Sequence, residues 1–306
     1  MGRSVHKADM KAIVRPRRSA LFVPAANARA LEKSQKLTAD CVIYDLEDSV
    51  APDTKVAARE ALAAHFSAYP SAPFERIVRV NAGDTPWGRD DLAAAATMGA
   101  DAVLLPKVER PQDVIDAASH LDHNDAEPAT AVWAMIETPR GILNADEIAM
   151  LGNRSAARLA CFVVGPNDIA RETGVRPQPG RPYLVPWLMQ IVLAARAGGL
   201  TVLDGVFNDF RDAAGFAAEC AQGADMGFDG KTLIHPSQIE TATRAFSPTE
   251  AEIAEARAVV ELFGRPENAD KGVVSLDGRM VERLHLAMAE RMLAKAGINN
   301  TKEVRS

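Results

Sequence analysis

Two stretches decide the fold: Ala131-Val-Trp-Ala-Met-Ile-Glu-Thr138 and Leu159-Ala-Cys-Phe-Val-Val-Gly-Pro-Asn-Asp168. Each is a short, almost unbroken apolar run that ends at charged or turn-forming residues. A half-exposed strand alternates apolar and polar residues, so an unbroken run of this length reads as a strand covered on both faces of a parallel sheet. Six more runs have the same character, at Ala20–Pro24, Cys41–Glu47, Arg76–Asn81, Ala102–Lys107, Thr201–Phe207 and Met226–Ile234. Ala-rich amphipathic segments lie between them, among them Thr54–Phe66, Asp90–Met98, Gln112–Leu121 and Asp209–Gln222. This strand–helix alternation predicts an α/β protein whose residues 16–246 form a (β/α)8 TIM barrel. An open doubly wound sheet is the alternative, but no Gly-rich dinucleotide turn follows the first run.

The flanks depart from this rhythm. Residues 1–15 read as a flexible N-terminal arm. Residues 247–306 read as a C-terminal helical appendage or lid. There Ser247-Pro-Thr-Glu250 has the capping-box pattern, with Pro248 at the first helical position. The helix it opens is expected to run to about Gly264, with a flexible polar segment to Gly278 and a second helix from near Met280 to near Gly297. Glu172–Pro186, rich in Gly and Pro, reads as a loop after the sixth strand, on the face where barrels carry their chemistry.

The 306 residues are 47% hydrophobic and 25% charged, which is ordinary globular usage and excludes a disordered or collagen-like chain. A net charge of −6 argues against nucleic-acid binding and leaves room for a small anion held by local cations. No apolar run is long enough to span a membrane, and no apolar signal core follows the basic N-terminus. Cys41, Cys161 and Cys220 are widely spaced and read as buried free thiols. The expectation is a cytoplasmic protein with neither membrane nor nucleic acid as partner.

Barrel chemistry sits at the C-terminal ends of the strands. Glu137 and Asp168 end neighbouring runs, so their carboxylates can converge. Two hard oxygen ligands with room for water suit Mg2+; equally, each acid could pair with a cation or cap a helix. Arg79 at another strand end suits a carboxylate or a developing oxyanion, or a salt bridge to Asp45 or Glu47. Asp45, Glu47 and Asp48 form an acidic cluster for which Arg79, Lys107 and Arg18 are available cations, and it reads as a positioning group. A Schiff-base role for Lys107 or Lys231 is disfavoured, because neighbouring acids, Asp229 in the case of Lys231, keep an ammonium charged. His235 after a strand reads as structural on its own.

These strand-end blocks resemble the citrate lyase β-subunit and malyl-CoA lyase family of barrel enzymes. The resemblance runs from Arg18 to the last helix. It is carried by Arg18-Ser-Ala-Leu-Phe-Val-Pro24, Tyr44-Asp-Leu-Glu-Asp-Ser-Val-Ala-Pro52 with Lys55 and Arg59-Glu60, and Arg79-Val-Asn81. It continues through Leu105-Pro-Lys-Val-Glu109, Ile136-Glu-Thr-Pro-Arg-Gly141 and Gly165-Pro-Asn-Asp-Ile169. Gly227-Phe-Asp-Gly-Lys231, Ile234-His-Pro236 and Leu276-Asp-Gly-Arg-Met280 complete it. The resemblance implies a Mg2+-dependent carbon–carbon lyase that splits a 3-hydroxyacyl-CoA, such as malyl-, citramalyl- or citryl-CoA, into an acyl-CoA and a 2-oxo acid. It implies Glu137 and Asp168 as metal ligands. Phe22, Lys33, Arg79, Glu137, Ile234 and His235 would contact substrate, Phe22 and Lys33 at its CoA portion. Arg79 would be catalytic, and Asp277 a catalytic acid on a lid that reaches a neighbouring subunit, in a homotrimer or hexamer. Asp45, Glu47, Asp48 and Lys107 would support the site. Two positions depart from the pattern: Asn27 stands where some relatives have arginine, and Leu284 where proline is usual. The alternatives are a citrate lyase subunit acting on a carrier-protein thioester, an aldolase of free oxo acids, and a non-catalytic acyl-CoA-binding barrel.

Overall fold

The computed structural model describes residues 15–298, which divide into two compact units, Arg17–Phe246 and the segment from Ser247 onward. The expected arm at residues 1–15 lies outside the described residues apart from Arg15. The first unit is a closed barrel of eight parallel strands. They are β1 (Ser19–Pro24), β2 (Cys41–Asp45), β3 (Glu75–Arg79), β4 (Ala102–Leu105), β5 (Ala131–Ile136), β6 (Leu159–Val164), β7 (Thr201–Asp204) and β8 (Gly230–Leu233). Each of the eight apolar runs overlaps one of them, and β8 closes on β1 with Ala20 opposite Thr232.

Strand alternation explains why the runs are apolar throughout. Ile43, Ile77, Leu104, Trp133, Met135 and Val163 point inward and fill the barrel. Val42, Tyr44, Val78, Val103, Phe162 and Val202 point outward into the larger core beneath the helices. Deep in the barrel, Arg17 forks onto Glu75 at 2.8 Å and lies over the Trp133 ring. Cys41, Cys161 and Cys220 are buried and free. Among the described residues no helix is long and apolar enough to cross a membrane.

Two expected pairings differ. Arg18 does not reach the Asp45–Glu47 cluster: it binds Asp40 at 2.7 Å, ahead of β2, because Arg18 precedes β1 and so lies at the opposite end of the barrel. Lys231 does not face Asp229, which pairs with Arg196 at 2.8 Å. Lys231 is fully buried outside the barrel, 2.8 Å from both Asp204 and Glu219.

The second unit holds helices Glu250–Gly264 and Arg283–Lys295, with their own apolar core of Val259, Leu262, Phe263, Val274, Val281 and Leu293. The first helix starts two residues later than its Ser247–Glu250 pattern suggests. Thr249 is the N-cap, and Glu252 returns a 2.7 Å bond to its backbone. The end of the segment expected to be flexible and the expected start of the second helix near Met280 instead form a hairpin, β9 (Val273–Leu276) paired antiparallel with β10 (Arg279–Glu282), and the helix begins at Arg283. Asp277 and Gly278 make its turn, at φ 49° and 78°.

Candidate active site

At the C-terminal end of the barrel Phe22, Asp45, Asp48, Arg79, Glu137, Asp168 and Ile234 line one cavity of about 350 Å³. Strand parity selects them, because Phe22, Asp45 and Arg79 continue the inward-facing rows of their strands.

Arg79 is the most constrained of these groups. Its Nε and Nη2 fork onto Asp45 at 2.6 and 2.7 Å. Its Nη1 lies 3.1 Å from Glu47 and 3.3 Å from Asp48, and the guanidinium sits 4.8 Å above the Phe22 ring. A bidentate pair of this kind fixes orientation as well as charge. Burial alone would raise the Asp45 carboxyl, but the Arg79 fork outweighs it and holds the group below the usual carboxylate range. Ser49 and Glu47 donate backbone N–H bonds to the same carboxylate.

Glu137 is 2% exposed and follows β5 directly. Its Oε1 accepts the Lys107 backbone N–H at 2.8 Å. The next residue, Thr138, caps the short helix Pro139–Leu143 by accepting the Gly141 N–H at 3.0 Å, which pins the strand end. Across the β5–β6 pair, Gly165 leaves space that Glu137 occupies: a Cβ there would overlap both Cβ and Oε2 of Glu137. Burial, then the charges of Glu47 and Asp168, push the Glu137 carboxyl up to about 8.

Asp168 does not end β6. It lies in the first turn of helix Pro166–Thr173, and Arg171 pairs with it at 2.5 Å. The expected salt bridge and the expected convergence with Glu137 on one cavity therefore both exist. Lys107 sits 3.4 Å from Glu47, and its ammonium is held above its ordinary range by that acid against the opposing effect of burial. A charged amine at that place does not form a Schiff base.

The acids outnumber the fixed cations here. Asp45 consumes the Arg79 fork and Glu47 takes Lys107, while Glu137 accepts only a backbone N–H. A buried carboxyl destabilised by like charges, beside a second carboxylate on the same cavity, is a donor set that fits a hard divalent cation with water in its other positions.

Other expected residues lie elsewhere. Lys33 is exposed on the last turn of helix Ala28–Ser34, outside the cavity lining. Asn27 caps that helix, accepting the Ala30 N–H at 3.0 Å, a role arginine cannot fill. His235 is outside the lining too. It stacks on Phe210 with ring centroids 4.6 Å apart and bonds Ser237. Asp277 belongs to the second unit and is exposed. Sequence reasoning missed Asn167 and Asn208, whose side-chain amides bond each other reciprocally at 3.2 and 2.8 Å. Both line the cavity, and their pairing leaves no sequence signal because 41 residues separate them.

Known proteins resemble this chain. Residues 18–236 match the model of the HpcH/HpaI aldolase/citrate lyase family. A (3S)-malyl-CoA thioesterase of Cereibacter sphaeroides is 48% identical over 281 residues, covering 92% of this chain and 95% of the relative. The citrate lyase β subunit of Escherichia coli is 38% identical over 295 residues, covering 94% and 96%. The crystal structure of CitE from Mycobacterium tuberculosis in complex with magnesium, acetoacetate and coenzyme A superposes with a TM-score of 0.71. Its identity is 34%, with 93% of this chain and 99% of that chain covered. With its barrel closed, its strand-end acids on one cavity and its match running through nearly all of the barrel, the chain belongs to the HpcH/HpaI aldolase/citrate lyase family.

Proposed function

We propose that this protein is a Mg2+-dependent enzyme acting on a 3-hydroxyacyl-CoA of the malyl-CoA type, breaking the bond between the hydroxyl-bearing carbon and the carbon next to the thioester. The observation that carries this reading is the pairing, in one cavity, of a fixed guanidinium with two carboxylates, one of them the buried Glu137, which accepts a backbone N–H and is raised by burial and by its like-charged neighbours. The names of the thioesterase relative and of the magnesium- and coenzyme A-bound CitE support the substrate class and the metal.

Glu137 and Asp168 would hold the ion. Bound there, Mg2+ would supply Lewis-acid polarisation of the hydroxyl and carboxylate at the acid end of the substrate. Arg79 faces the thioester oxygen, where charge gathers as the carbon–carbon bond breaks and an enolate forms. The hydroxyl loses its proton as its carbon becomes the carbonyl of the 2-oxo acid. The enolate carbon takes up a proton to complete the acyl-CoA. Asp277, exposed at a hairpin tip, is the proton donor on this reading. By the family resemblance it would work across a subunit boundary, in a homotrimer or hexamer.

Hydrolysis of the thioester is a second reading, favoured by the 48% identity to a (3S)-malyl-CoA thioesterase. The same Arg79 would then face a tetrahedral oxyanion. Incubation with malyl-CoA and Mg2+ separates the two reactions. Carbon–carbon cleavage releases glyoxylate, trapped as its phenylhydrazone, with no free thiol. Hydrolysis releases malate and a thiol that reacts with Ellman's reagent. Glyoxylate without thiol supports the first reading. Thiol without glyoxylate replaces it with the second. Neither product, with citryl- and citramalyl-CoA equally inert, overturns both.

A further inference from the structure

A second cavity adjoins the first. Its volume is about 540 Å³, against about 350 Å³ for the reaction cavity. The reaction cavity draws its lining from strand ends around the barrel, whereas the second uses only residues from Pro166 to Gln222. It therefore lies on the β6–β7 side, beyond Asp168 and away from Phe22 and Arg79. Apolar groups such as Pro177, Pro179, Leu184 and Phe207 supply much of its lining. Its outer wall is anchored: Arg181 binds Asp204 at 2.7 Å, and Gln222 bonds the Gly180 carbonyl at 2.6 Å.

The two cavities share Pro166, Asn167, Val206 and Asn208. Pro166 cannot yield, because it packs so closely on Gly205 that a Cβ there would overlap its ring. Asn167 and Asn208 are exposed side chains whose amides bond each other, one from the first turn of the helix after β6 and one from the loop after β7. Their amides bridge the gap between the two loops, and Asn167 stands next to Asp168.

From this geometry we infer that the Asn167–Asn208 amide pair is a specificity-determining partition: it closes the 2-oxo-acid end of the reaction cavity and limits the acid's side chain to a small group. The inference rests on the proposed reaction, in which the acid portion sits against Glu137 and Asp168. With the partition opened, a straight alkyl chain on the 2-oxo acid has an apolar room to enter. The selectivity expected is that of a steric wall, roughly 10–200-fold per excluded methylene.

Asn208→Ala tests this. Binding of glyoxylate, pyruvate and 2-oxohexanoate to the full-length protein with Mg2+ is measured by calorimetry, with malyl-CoA turnover assayed in parallel. The wild type is expected to bind pyruvate at least about tenfold more tightly than 2-oxohexanoate, and the variant to lose most of that preference. An unchanged preference overturns the partition, and so does tight 2-oxohexanoate binding by the wild type or no binding of any acid by either protein. Malyl-CoA turnover with an unshifted preference removes the partition and leaves the reaction. A shifted preference without any CoA-thioester turnover leaves the partition and removes the reaction.

Discussion

The backbone N–H of Lys107 donates to Oε1 of Glu137 at 2.8 Å from a residue held at φ 50°. That is the left-handed region, which costs a non-glycine residue roughly 1 kcal/mol. The strain turns an N–H toward a buried acid of the site while the same residue's ammonium reaches Glu47. Lys107→Gly and Lys107→Ala both lose the ammonium, but only glycine adopts the backbone freely. The glycine variant is expected to be more stable by about 1 kcal/mol in urea denaturation. Equal stabilities would remove the strain from the account.

Gly165 makes a sharper test, because its substitution deletes no functional group. A methyl at this position must displace Glu137. Gly165→Ala is expected to weaken Mg2+ affinity by at least about tenfold, the loss typical when a group that orients a metal ligand is disturbed. Calorimetric titration that gives wild-type affinity would show that Glu137 does not hold the ion.

Arg79 is orientation as much as charge. Arg79→Lys keeps the cation and loses the fork onto Asp45. The expected result is a fall in kcat of about 100-fold or more, the scale of a lost oxyanion donor, with Mg2+ affinity nearly unchanged. Steady-state kinetics that show wild-type kcat would place Arg79 outside the chemistry.

The Glu137 carboxyl gives a pH signature. Burial and the neighbouring acids raise it to about 8 in the folded protein, from an ordinary value of 4.5. The folded state thus holds this proton more tightly than the unfolded chain does. Its contribution to stability is complete below about 4.5 and is lost as the pH rises through 8. In metal-free protein the advantage of the wild type over Glu137→Gln should shrink across that window. At pH 8, Mg2+ should raise the Tm of the wild type and leave Glu137→Gln unmoved. A Tm difference that is flat from pH 5 to 8 would contradict the environment described for Glu137.

Much of this is legible in the sequence. The barrel showed itself because strands buried on both faces leave runs such as Ala131–Ile136, and the acids stood out because they interrupt those runs. Local competition hid other features. Thr249 displaced Ser247 as N-cap because two overlapping patterns, Ser247–Glu250 and Thr249–Glu252, both satisfy the capping-box spacing. The hairpin at 273–282 falls across the end of the expected flexible segment, at Gly278, and the expected start of the second helix, near Met280, although Asp277-Gly278 between Val-Val-Ser-Leu and Arg-Met-Val-Glu is a hairpin signal. Partners chosen across the fold were not legible. Arg18 found Asp40, Lys231 found Asp204 and Glu219, and Asn167 found Asn208, because strand closure and loop packing decide those distances.

The most direct measurement is turnover of (3S)-malyl-CoA by the wild type and by Glu137→Gln, each with Mg2+ and with EDTA. The account predicts product from the wild type only when Mg2+ is present, and none from Glu137→Gln under either condition. Equal turnover of the wild type in EDTA, or undiminished turnover by Glu137→Gln, would contradict it.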